Sequence, residues 1–152
     1  MKDKLTDFMR VGKVSAVFPK KGTAEVVFED RENSVSRELF ILVPYTLKNK
    51  AYYMPEVQER VVCCFDPGAQ SVGYILGSFY SDARLPPFGD SNKTYIKFED
   101  DTLIEYDKNL HKLTIDIQAS GDTSVEIKAS GDITIESEKD LTLKGKSNTL
   151  VL

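Results

Sequence analysis

The chain has 152 residues, with 24 Asp+Glu against 20 Lys+Arg, one His, two Cys and no Trp. At 41% hydrophobic and 29% charged it is too apolar for a disordered chain, and its length predicts a single domain. No run of 18 apolar residues occurs, residues 1–8 lack the apolar segment of a signal peptide, and one His excludes a multi-histidine zinc site within one chain.

In chain order, a short helix is predicted over residues 3–9, and the pattern then turns to strands. Residues 11–18 and 23–28 are β-rich arms around Pro19-Lys20-Lys21-Gly22, which predicts a hairpin. Residues 30–34 form a polar turn, and a third strand over 36–43 stops at Pro44. Residues 45–56 are irregular. A fourth strand over 57–65 and a fifth over 72–80 are split by Asp66-Pro67-Gly68. Five short strands with frequent turn signals predict a small OB-like Greek-key barrel. That fold often binds single-stranded nucleic acid, but residues 1–100 hold 14 Lys+Arg and 14 Asp+Glu. A net-neutral region lacks the basic groove such binding needs. Phe18, Phe28, Phe40 and Phe65 are therefore expected in the barrel core.

The composition then shifts. Residues 101–152 carry 6 Lys+Arg and 10 Asp+Glu, so the whole net charge of −4 sits there. The same stretch has no Pro, Phe, Cys or Met. Pro86-Pro87-Phe88-Gly89-Asp90 marks the break. The expected all-β organisation is an N-terminal segment 1–10, an OB-like barrel 11–80, a linker 81–93 and a β-helical domain with octad repeats over 94–152. Strands are predicted at 94–98, 102–106 and 112–117.

From residue 117 the chain repeats every eight residues. One column reads Ile117, Val125, Ile133, Leu141, Thr149; a second, two positions later, reads Ala119, Ile127, Ile135, Leu143, Val151. The residue between them is mostly polar. Apolar–polar–apolar is a strand with one buried face, and the Gly, Ser, Asp and Asn that follow supply a turn. This is the pattern of a β-solenoid, yet each block offers only one inward face. Three chains, each giving one wall of a triangular prism, would close the core; packing of these strands as a sheet against the barrel is the alternative.

The order of features resembles the phage baseplate assembly protein V family, the central spike of contractile tails, with type VI secretion spikes as larger relatives. The resemblance rests on Arg10-Val11-Gly12-Lys13-Val14, on the segment from Met54 to Val62, on Gly73 to Tyr80, and on the octads. Gln58 stands where that family has Gly. The resemblance implies a homotrimer: an N-terminal OB-like barrel seated on tail hub and baseplate proteins, then an intertwined β-prism directed at the target cell envelope. Its work would be mechanical membrane piercing, after assembly in the bacterial cytoplasm as part of a phage virion or phage-tail-like particle. The expected trimer core is Ile117, Val125, Ile127, Ile133, Ile135, Leu141, Leu143 and Val151. The expected tip is Thr149, Leu150, Val151 and Leu152. The tip lacks the His-x-His metal apex of many such spikes, so either a PAAR-type tip protein caps it or it ends bare.

No catalytic, cofactor or metal residues are expected, and no nucleic-acid partner. Cys63 and Cys64, adjacent in a strand, point to opposite faces and read as structural thiols. His111 has no nucleophile beside it, and Glu99, Asp100 and Asp101 read as solvated turn acids. The competing reading is an OB-like nucleic-acid or glycan-binding module with a trimerising stalk.

Overall fold

The computed structural model describes residues 8–66, 69–120, 123–142 and 144, the side chains of residues 69–71 excepted. The regular elements are all β apart from one 3-10 turn, Glu29–Arg31. They are β1 (Met9–Phe18), β2 (Thr23–Phe28), β3 (Ser34–Val35), β4 (Leu39–Ile41), β5 (Arg60–Asp66), β6 (Ala69–Ser78), β7 (Lys93–Lys97), β8 (Leu103–Asp107) and β9 (Lys112–Asp116). The chain divides into two units, Met1–Gly89 and Asp90–Leu152.

In the first unit the strands run β1-β5-β6-β4-β2, and β1 pairs back onto β2 to close a five-stranded barrel. β4 and β6 run parallel, while the other barrel pairs are antiparallel. The predicted hairpin is present: Phe18 pairs with Thr23, and Gly22 takes a φ of 67° that a side chain would resist. Strand alternation sends Val14, Val26, Phe28, Leu39, Val61, Cys63, Phe65 and Ile75 inward, all buried. Phe28 and Phe65 meet edge to face at 5.7 Å between centroids. Buried Thr23 is satisfied by donating to Glu38 at 2.7 Å.

Three local expectations change. The predicted opening helix falls mostly on residues outside those described, and its last residue, Met9, is already in β1, paired with Cys64. The third strand is shorter than 36–43 because the Ser36 hydroxyl accepts the Val26 N–H at 2.9 Å, a group that a longer ladder would use. Ser34, the last residue of the predicted polar turn, forms β3 with Val35 instead. The fourth strand starts at Arg60, since Gln58 turns the chain with a φ of 74°.

Phe40 is also a correction. It was expected inside and is 53% exposed. Leu39 and Ile41 take the inward positions of β4, so the residue between them must point out. Phe40 lies against Tyr74 of the parallel neighbour at 6.1 Å.

In the second unit, β7-β8-β9 form an antiparallel three-stranded meander. The turn between β8 and β9 is fixed by Asp107, whose carboxylate accepts from the Asn109 and Leu110 N–H groups at 2.8 and 3.0 Å. The described residues beyond β9 form no strand ladder within the single chain.

Candidate functional site

The octad columns are the first candidate surface. Val125, Ile127, Ile133, Ile135 and Leu141 are 52–69% exposed in the single chain, and Ile117 is half-buried. Between them stand charged groups such as Glu126 and Lys128, which pair at 2.5 Å. Apolar columns alternating with charge, but with no layer of the same chain over them, cannot be a finished core. Leu143 and Val151 of the expected core, and the whole expected tip Thr149, Leu150, Val151 and Leu152, lie outside the described residues.

The barrel carries a second surface, which the sequence reading missed. Cross-strand register aligns Met9, Cys64, Tyr74 and Phe40 as one outward rung over β1, β5, β6 and β4. Val11, Val62, Leu76 and Leu42 flank it, and no charged side chain interrupts these eight positions. Barrel exteriors usually alternate polar-out. The signal was present in the strand sequences: Val61-Val62-Cys63-Cys64 and Val72-Gly73-Tyr74-Ile75-Leu76 are apolar at both parities. Such runs mean two buried faces, not one.

The remaining candidates are ordinary. Cys63 is buried inside the barrel, and burial pushes its thiol up to about 12; Cys64 faces outward and is half-buried. Both thiols are free. Asp100 accepts the Thr102 N–H at 3.0 Å, and Asp101 pairs with Lys97 at 2.6 Å, so these acids shape a turn. His111 is exposed in the β8–β9 turn with φ 50°. A shallow depression beside Gly12 is lined by Lys13, Glu29, Asp30 and Arg60, charges of both signs. There the Lys13 ammonium, hydrogen-bonded to Glu29, holds that carboxyl below its usual range.

The segment between β4 and β5 exposes Leu47, Tyr45, Tyr52 and Tyr53. It carries Lys48 and Lys50 and no carboxylate between Leu42 and Pro55. Its fixed points are the Thr46–Lys50 bridge and the Ala51 N–H donating to the Tyr45 carbonyl at 3.0 Å.

Comparison with known proteins gives no family: no protein-family model matches the chain, and no curated protein does so either.

Proposed function

We propose that the chain is a non-enzymatic structural subunit, the trimeric central spike of a contractile tail baseplate. The observation that carries this reading is the exposure of Val125, Ile127, Ile133, Ile135 and Leu141. Their eight-residue spacing gives each chain one wall of a core, and two further copies supply the other walls of an intertwined β-prism. Strands that pair between chains account for a region that forms no ladder alone, because each edge finds its partner on another copy.

The barrel supports the same reading. A closed barrel whose third and fifth strands run parallel supports the OB-like part of the reading. Its outward rung of Met9, Cys64, Tyr74 and Phe40 suits seating on tail hub and baseplate proteins. The free thiols Cys63 and Cys64 suit assembly in a reducing cytoplasm. The acidic rod would meet the target envelope on firing.

Native mass of the purified protein is the test. A species of three times the 17.1 kDa chain mass is expected, and a monomer at micromolar concentration removes the basis of the reading.

The second reading, an OB-like binding module, draws on Tyr45, Tyr52 and Tyr53 beside Lys48 and Lys50. Exposed rings with cations stack and neutralise single strands. It requires DNA or RNA binding that weakens steeply with added salt.

A further inference from the structure

The β7–β8–β9 sheet has two unlike faces. One is mixed: charged residues, among them Lys93, Glu105 and Lys112, share it with Tyr95, Leu103 and Thr114, and Lys93 pairs with Glu105 at 2.9 Å. The other presents Thr94 and Ile96 of β7, Ile104 and Tyr106 of β8, and Leu113 and Ile115 of β9. The register makes two rungs of it: Ile96–Ile104–Ile115, and Thr94–Tyr106–Leu113. The five large side chains are 37–66% exposed with the whole chain counted. A three-stranded sheet gains its stability from covering a hydrophobic face, and this one is bare.

We propose that this face is a self-association surface, covered by the same face of two further copies, so that the prism core begins at β7 and not at residue 117. The proposal rests on the trimer reading above. Three observations choose the occupant. Leu113 and Ile115 continue at the same parity into Ile117, the first position of the octad columns, so one apolar row runs unbroken along the chain. The face holds no charged group, so a surface identical to it loses no hydration of charge on contact. The exposed apolar area of the five side chains is several hundred Å², and with the octad columns it approaches the roughly 800 Å² per partner of a stable interface.

The experiment uses the full chain. Ile104→Asp places a charge at the centre of the face; Lys112→Glu changes an exposed residue of the opposite face. Sedimentation velocity is expected to give a trimer for wild type and for Lys112→Glu. For Ile104→Asp, dissociation is expected at a concentration at least tenfold higher than for wild type. In parallel, Ile104→Cys treated with a short bis-maleimide is expected to give a covalent dimer band well above the wild-type background, and Lys112→Cys is not. That second readout decides the matter if Ile104→Asp fails to fold. A wild-type trimer that Ile104→Asp leaves equally stable, or Ile104→Cys that links no better than Lys112→Cys, overturns this inference while the octad reading stands. A monomeric wild type overturns both.

Discussion

The Gln58 N–H donates to the Val14 carbonyl at 2.8 Å, while Gln58 itself is held at φ 74°. The Val14 N–H in turn donates to the Glu59 carbonyl at 2.9 Å, so the turn into β5 is stitched to β1 on both sides of the strained residue. A side chain in the left-handed region costs about 1–2 kcal/mol, and Gly avoids that at an entropic cost of roughly 0.5–1. Gln58→Gly is therefore expected to stabilise the barrel by about 0.5–1 kcal/mol, and Gln58→Val to destabilise it. Urea midpoints of the two variants in opposite directions are the required outcome.

Gly12 is the counterpart inside the barrel. A Cβ there would meet the Val26 side chain and lie 2.6 Å from the Val27 carbonyl oxygen. That oxygen belongs to the β1–β2 ladder and cannot move aside cheaply. Gly12→Ala is expected to destabilise by about 1–3 kcal/mol through overpacking. Gly89→Ala, which meets nothing within 4 Å, is the control, and equal unfolding midpoints for the two variants would contradict the packing.

Much of this fold is legible in the sequence because Pro, Gly and strand alternation act locally. Pro19 to Gly22 fixes one hairpin, and Val14, Val26 and Val61 announce the inward parity of their strands. Phe40 was misjudged because hydrophobicity alone does not report parity: its neighbours Leu39 and Ile41 are equally apolar, and only pairing with β6 decides who faces in. Ser36 ends a ladder through its side chain, which no strand propensity encodes. The octads were legible as a period, but their described apolar residues stay exposed in the single chain, so the period alone does not say what covers them. For that reason the apolar face of β7–β9 went unread, although its strands were placed within a residue or so.

The octad columns give a paired test. Ile127→Asp or Ile135→Asp would put three carboxylates close together in a closed core, where unpaired charge is strongly unfavourable. Loss of the trimer by native mass spectrometry is expected for either. Glu126→Lys, at the outward position between columns, is expected to keep it. If the two kinds of variant behave alike, the inward column is misassigned.

Asp107 links the second unit to pH. Hydrogen bonds from the Leu110 and Asn109 N–H groups, with the Lys93 charge nearby, hold its carboxyl below the ordinary 3.8. A carboxyl whose folded value is depressed contributes stability above its unfolded pKa. That contribution is lost as pH falls through the folded value. The β8–β9 turn is therefore expected to loosen only below about pH 4, with faster amide exchange at Asn109 and Leu110 than at the centre of β8. Asp107→Asn should remove the pH dependence of their protection, taken relative to intrinsic exchange, between pH 2 and 4. A titration midpoint for Asp107 at or above the ordinary value would show that the hydrogen bonds are not formed in solution.

Cys63 and Cys64 separate the two faces of β5 chemically. The thiolate is the reactive form, and burial pushes the Cys63 thiol up to about 12, so almost none is ionised at pH 8. Cys64 stands on the outward rung between Met9 and Tyr74. With iodoacetamide at pH 8, the native protein is expected to show labelling at Cys64 first, with Cys63 reacting only as fast as the barrel opens. Peptide mass spectrometry over a time course reads both sites at once. Phe65→Ala, which removes a ring packed beside Cys63 in the core, is expected to speed Cys63 labelling more than Cys64 labelling. Equal rates at the two cysteines in the folded wild type would mean that β5 does not have one face inside the barrel and one outside.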